Sequence, residues 1–342
     1  PLILFIITHI FHTSAYRLFF LIPPPPPSPP IIIHNIPQQP SREPSPGMAA
    51  APRRLVLRRQ QLDAAGQWVQ QVPPDVCAAV RALELGANPS VAAADIAALC
   101  AQCPQLTVLS IDNCALDAAG VAALGVVLPR LHELNLGFNK LGEAGARALG
   151  DMLPHCPRLR VLNASGNNVG AAGLAALAAG WRNGPLEHLV LAGNTLSADA
   201  VDALCGALPP RLRHLDVAFC GLSVAAAARV VMALAACPLE RLSLRGNYID
   251  AASDELAAAL PTLPTLLSLD LESNQLGDAG IDCLAQPLAD CAQLQELRLE
   301  HNGITRADLL VGALVACQSN LRVLALGLRS SALNALLRLL MK

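Results

Sequence analysis

One spacing of apolar and polar positions, L-x-x-L-x-L-x-x-(N or C)-x-L, recurs along most of the chain. It reads LTVLSIDNCAL from Leu106, LHELNLGFNKL from Leu131, LRVLNASGNNV from Leu159 and LEHLVLAGNTL from Leu186. It continues as LRHLDVAFCGL from Leu212, LERLSLRGNYI from Leu239, LLSLDLESNQL from Leu266 and LQELRLEHNGI from Leu294. Weaker versions flank these at Arg54 to Leu62, Val80 to Ser90 and Leu321 to Ser331. The third apolar position falls at residues 57, 85, 111, 136, 164, 191, 217, 244, 271, 299 and 326, which makes eleven copies 25 to 28 residues apart. A fixed period of this size marks a repeat architecture.

Within each copy the first half alternates apolar with variable residues over about five positions, the mark of a short strand buried on one side. The second half changes period. In LGEAGARALGDML, Leu141, Gly145, Leu149 and Leu153 fall four apart and line one helix face. Strands joined through a helix must run parallel, because a parallel pair needs a long crossover. One such unit cannot bury its Leu and Ala faces alone, so copies must stack, and the expected fold is an α/β solenoid.

The template and its period resemble the leucine-rich repeats of the ribonuclease-inhibitor-like subfamily, over roughly Arg53 to Lys342. The resemblance implies a horseshoe with a parallel sheet on the concave face and a full helix per repeat on the convex face. It says less about function, because the same repeats serve inhibitors, GTPase activators, immune sensors and cytoskeletal subunits.

Composition agrees with thin stacked layers: 53% of residues are hydrophobic and only 3% aromatic. A net charge of −2 offers no general polycation, so no nucleic-acid partner is expected. Residues 1–47 are different material, holding nine of the fourteen isoleucines, four of the six phenylalanines and a single alanine. The run PLILFIITHIFHTSAYRLFFLI has the length of a membrane span, and PPPPPSPP after it suits a polyproline spacer. Against a span, His9, His12 and Arg17 interrupt the run and no methionine precedes Met48. The expectation is therefore that residues 1–47 are disordered or artefactual upstream sequence, that 48–342 is the repeat domain, and that no membrane is involved unless residues 1–22 are genuinely translated. Ser330 to Lys342 reads as an amphipathic capping helix that completes the chain.

Eleven cysteines invite disulfide and metal readings. The repeat register absorbs most of them. Cys77, Cys103, Cys156, Cys237, Cys291 and Cys317 share one slot near the end of each helix, a packing position for a small apolar side chain. Cys100, Cys205 and Cys283 fall within helix patterns. Cys100 and Cys103 have CxxC spacing but lack a second pair, so neither metal nor cofactor is expected. Reduced thiols point to the cytoplasm, with a nuclear or cytoskeletal location open. The sequon Asn163-Ala-Ser165 lies in a predicted strand, where a glycan would block the sheet.

Where each strand ends, buried backbone groups lose their ladder partners at about 1 to 3 kcal/mol each if unpaired. An amide side chain can satisfy them, and cysteine has a weak S–H donor. That role is assigned to Asn88, Cys114, Asn139, Asn167, Asn194, Cys220, Asn247, Asn274 and Asn302, with Gln60 and Arg329 as the terminal exceptions.

Function is expected at the strand positions the template leaves free: those flanking the second apolar residue and the two after the third. Of these, Phe138, His188, His214, Asp216, Phe219, Arg241, Arg245, Asp270, Glu272, Glu296, Arg298 and Glu300 form the candidate partner-binding set. His188 and His214 occupy equivalent slots of adjacent repeats. No third strong ligand shares that slot and no nucleophile is held against either ring, so partner contact or solvated surface is expected rather than catalysis. The charged residues farther along form either a self-paired surface or complementarity to a partner. Phe138 and Phe219 are either anchors or caps on the core. The leading expectation is a monomeric, non-enzymatic scaffold that binds a protein. The alternative is a GTPase activator resembling the Ran-activating members, with Arg58 and Arg59 offering a charge-stabilising finger. It lacks the acidic tail of many such activators. Direct ribonuclease inhibition is disfavoured, because Trp68 and Trp181 lie in helix or loop patterns rather than on the face.

Overall fold

The computed structural model describes residues 54–60, 62, 66–250, 254–317 and 320–327. The expectations for residues 1–47, for Arg53, for Arg329 and for a capping helix from Ser330 to Lys342 lie outside the described residues. By packing, the chain forms two compact units, one ending at Glu187 and one holding His188 onward.

The first unit runs β1 (Arg54–Val56), α1 (Gln67–Gln70), α2 (Pro74–Ala79), β2 (Ala82–Glu84), α3 (Ala93–Gln102), β3 (Val108–Ser110), α4 (Ala118–Ala123), β4 (Glu133–Asn135), α5 (Gly142–Met152), β5 (Val161–Asn163) and α6 (Gly170–Trp181). Its strands pair parallel in sequence order, with Leu55, Leu83, Leu109, Leu134 and Leu162 in register. The expected strand of about five positions is formally three residues long, yet pairing continues beyond it: the Leu57 N–H donates to Glu84 O at 2.7 Å and the Arg59 N–H to Gly86 O at 3.2 Å. The face read from LGEAGARALGDML is buried as expected at Leu141, Gly145, Leu149 and Leu153. Helices α5 and α6 approach backbone to backbone. A Cβ on Gly180 would come within 2.2 Å of Gly150 O, and one on Gly150 within 2.5 Å of Ala176 O.

The second unit runs β6 (His188–Val190), α7 (Ala198–Cys205), β7 (His214–Asp216), α8 (Val224–Leu234), β8 (Arg241–Ser243), α9 (Asp254–Ala259), β9 (Ser268–Asp270), α10 (Gly277–Asp290), β10 (Glu296–Arg298), α11 (Asp308–Ala316) and β11 (Val323–Ala325). Its strands also pair parallel in order. The inward leucines of the strands, such as Leu215, Leu242 and Leu269, are buried to 2% exposure or less. Each contributes roughly 1.5 to 3 kcal/mol of transfer free energy.

A full helix in every repeat is not what the chain forms. α9 stops after six residues and continues as a 3-10 turn at Leu260–Thr262. Similar turns occur at Leu128–Arg130 and Leu153–His155. Each carries a proline in second place (Pro129, Pro154, Pro261), which lacks the N–H that an α-helix needs and clashes with the preceding turn.

Candidate interaction site

The asparagine file is where the template places it, and its bonds explain its composition. Asn247 Nδ2 donates to Val217 O of the preceding repeat at 3.1 Å and to Leu244 O of its own at 2.8 Å, while its Oδ1 accepts from the Cys220 and Leu222 amides at 3.1 and 2.9 Å. Asn88, Asn139, Asn167, Asn274 and Asn302 make the same pair of carbonyl contacts, and Asn194 Nδ2 bonds Leu191 O at 2.8 Å. Cys220 Sγ reaches Leu191 O and Ala218 O at 3.4 and 3.5 Å, and Cys114 does likewise with Leu85 O and Asp112 O. A thiol thus replaces the donor but brings no equivalent of Oδ1. All nine side chains are buried.

Immediately before every residue of this file the backbone is left-handed. The positions are Ala87, Asn113, Phe138, Gly166, Gly193, Phe219, Gly246, Ser273 and His301, together with Arg59 before Gln60, with φ between 53° and 70°. Phe138 and Phe219 therefore sit where side chains are rarely placed. Each covers a glycine one repeat on: a Cβ at Gly166 would lie 2.6 Å from the Phe138 ring, and one at Gly246 would lie 2.2 Å from the Phe219 ring. Of the two expected roles, both aromatics fill part of each. They pack on the neighbouring turn yet stay 67% and 53% exposed. Tyr248, at 63% exposure, is a further rim aromatic that the template reading did not single out. Its only sequence signal was a large aromatic in the free place between Asn247 and Ile249.

On the sheet face of the second unit, the slot before the second leucine holds His188, His214, Arg241, Ser268 and Glu296 in register across β6 to β10. The His188 and His214 rings lie 5.5 Å apart, tilted by 59°. Burial pushes the His214 imidazolium below the usual histidine range; His188 and Arg241 push the same way and Asp216 opposes them. The next row holds Asp216, Asp270 and Arg298. Asp216 Oδ1 accepts the Ala218 amide and Asp270 Oδ1 the Glu272 amide, both at 2.9 Å. Asn135 and Asn163 do the same for Gly137 and Ser165. These positions were expected to be free. They brace the turn, and the recurrence of Asn or Asp there was a readable signal. Burial pushes the Asp270 carboxyl up, with the Glu272 charge adding to it.

The slot just after the third leucine is also less free than expected. Ser165, Ala218 and Glu272 there are buried, Glu272 at 7% exposure. Glu272 accepts from Arg245 at 2.8 Å and lies 3.1 Å from His301 Nδ1, so it has little left for a partner. The Arg245 guanidinium also sits 5.7 Å over the Phe219 ring. Arg298 pairs with Glu296, whose Oε2 accepts the Ser268 hydroxyl at 3.1 Å. Although burial favours the neutral acid, these bonds hold the Glu296 carboxyl below its ordinary range. Much of the mixed charge is thus self-paired, whereas Glu300 is engaged through its backbone carbonyl.

In the first unit the sheet face is a closed polar network. Arg58 grips Asp112 with both guanidinium nitrogens at 2.7 Å, Ser110 Oγ donates to Asp112 at 2.8 Å, and Asn135 Nδ2 donates to Ser110 Oγ at 3.0 Å. Arg54 pairs with Glu84. Of the two arginines offered as a finger, Arg58 is held by Asp112, whereas Arg59 is exposed.

Five of the six cysteines assigned to the helix-end slot are buried; Cys317 is exposed, because the last described helix leaves it at the surface. Burial pushes Cys100 and Cys103 up to about 12, so both stay protonated thiols. Trp68 and Trp181 are buried at 4% and 1% exposure, in α1 and at the end of α6. Among the described residues no helix is long and apolar enough to cross a membrane.

Comparison with known proteins agrees with this geometry. The family model described as FBD-associated F-box protein At5g56370, LRR repeats, matches residues 67–178, and the model described as Leucine Rich repeat matches 262–285. The chain is 36% identical over 148 residues to Protein NLRC5 of Homo sapiens, a stretch covering 42% of this chain and 8% of that protein. It is 37% identical over 163 residues to Ribonuclease inhibitor of Sus scrofa, covering 41% of this chain and 36% of that protein. The matches therefore span well under two thirds of either relative. The solved leucine-rich repeat-containing protein LegL7 from Legionella pneumophila superposes with a TM-score of 0.53 at 18% identity, covering 79% of this chain and 89% of that one. That likeness is one of fold. Fold and site define the class of leucine-rich-repeat solenoids. Within it, this chain is similar to leucine-rich repeat proteins of the ribonuclease-inhibitor-like type.

Proposed function

We propose that this chain is a non-enzymatic scaffold or regulator that binds a partner protein on the sheet face and turn rim of its second unit. The observation that carries this is the row His188, His214 and Arg241, placed in register on rigid strands beside the exposed rim aromatics Phe219 and Tyr248. Rigid, spaced side chains of mixed chemistry suit recognition of a large surface. Among the described residues no side chain is activated as a nucleophile, and the thiols most shifted are shifted toward the neutral form. The repeat class supports the reading: one relative is named for inhibiting ribonuclease, a protein target.

The experiment is affinity purification of the native chain beside a variant with His188, His214, Arg241 and Arg245 all changed to Ala. Loss of specific partners from the variant supports the reading; identical recovery refutes it. The GTPase-activator alternative, with Arg58 or Arg59 as the finger, is tested by Ran GTP hydrolysis, where no stimulation removes it.

A further inference from the structure

We infer that the row His188, His214, Arg241 is an anion-reading patch for a short acidic segment of a partner protein, and that binding there strengthens as pH falls. The inference rests on the proposed function and gives it a partner chemistry.

Three observations carry it. First, the arginines around the row are held in direct ion pairs and the row is not, its nearest opposite charges, Asp216 and Glu296, acting only at a distance. Arg245 is paired to Glu272 and Arg298 to Glu296, whereas among the described residues His188, His214 and Arg241 have no ion-pair partner. Second, the row is self-repelling once protonated. The groups facing His214 are His188 on β6, Arg241 on β8 and Asp216 on its own strand, and Asp216 already accepts the Ala218 amide. A carboxylate laid over the row would offset that repulsion. By linkage, a ligand that favours the imidazolium must take up protons on binding and must bind more tightly in acid.

Third, the site has an end. Continuing along the same slot, the side chains become Ser268 and then Glu296, while Asp270, Glu272 and Glu300 follow in the neighbouring rows. Two strand intervals of about 4.8 Å give the row a length near 10 Å. Alternate residues of an extended peptide lie about 7 Å apart, so an acid-x-acid segment matches it. A longer polyanion would run onto the acidic strands, which disfavours nucleic acid. Phe219 and Tyr248 on the adjoining rim provide apolar contact for side chains flanking the acids.

The test uses labelled peptides with a Glu-Leu-Glu core, the same peptide with Gln-Leu-Gln, and a decamer of uridylate, each added to the full chain. Binding is read by anisotropy and by histidine ring NMR. The expected result is that the Glu peptide binds at least tenfold tighter than the Gln peptide and tightens severalfold from pH 7.5 to 6.0. It should also raise the titration midpoint of His214. The H188A/H214A/R241A variant, checked for an unchanged melt, should lose these effects, while R54A in the first unit keeps them. Equal binding of the Gln peptide, no pH dependence, an unaffected triple variant or preferred uridylate would each overturn the inference. If the triple variant still loses its cellular partners while the peptides fail, the acidic-segment inference is wrong and the sheet-face function stands. If it keeps those partners, the function fails as well.

Discussion

The Phe219 ring lies so close over Gly246 that a Cβ on the glycine would fall 2.2 Å from the ring. Gly246 itself has φ +63°, a conformation costly for other residues. Two penalties therefore meet at one residue, strain and clash. Gly246→Ala should cost about 1 to 3 kcal/mol. In a double-mutant cycle, F219A should recover the clash but not the strain, leaving the double variant more stable than G246A alone. Urea denaturation measures both; strict additivity would show that the ring moves aside freely.

Asn247 satisfies backbone groups of two repeats with both ends of its amide. At about 1 to 3 kcal/mol for each group left unpaired, Asn247→Ala should cost at least ~3 kcal/mol. Cys220→Ala should cost less, since the thiol brings only a weak donor. A comparison of the two denaturation midpoints checks the order.

These two sites mark what was legible in the sequence. The asparagine file was readable because its chemistry must recur wherever a strand ends over the core. The left-handed residue before it was not, because ten different repeats fill that place with Arg, Ala, Asn, Phe, Gly, Ser or His and only the backbone is common. The pairing of His188 with His214 followed from register alone. The burial of Glu272 did not: it depends on Arg245 and His301 of neighbouring repeats closing over it, which a one-repeat template cannot express. Helix length was misjudged at α9, which gives way to a 3-10 turn at Pro261, whereas α5 runs eleven residues before Pro154 and α10 holds Pro287 inside it.

Asp270 offers a pH test. Its carboxyl is pushed up by burial and by Glu272, so the folded chain holds its proton more tightly than the unfolded chain does. Such a group adds stability as pH falls toward the ordinary carboxylate range and loses it as pH rises through the elevated folded value. Its charge is thus a cost at pH 7. Asp270→Asn keeps an oxygen for the Glu272 amide and removes that charge, so its Tm should exceed that of the native chain at pH 7, with the gap narrowing toward pH 4. A Tm difference independent of pH would show the charge to be irrelevant.

Arg58 is predicted to be structural. Removing its two bonds to Asp112 in R58A should cost about 1 kcal/mol, as for a half-exposed bidentate pair, and should leave any partner recovered with the second unit unchanged. Thermal melts and quantitative pull-downs check both halves of that statement.

The central claim is that the partner docks on the sheet side of the second unit. A photo-crosslinking benzoylphenylalanine at Phe219 or Tyr248 tests it against the same group at Met232, which is 62% exposed on α8. The account predicts a partner crosslinked from positions 219 and 248 and none from 232. Crosslinking from 232 with none from the rim would place the partner on the helices and contradict it.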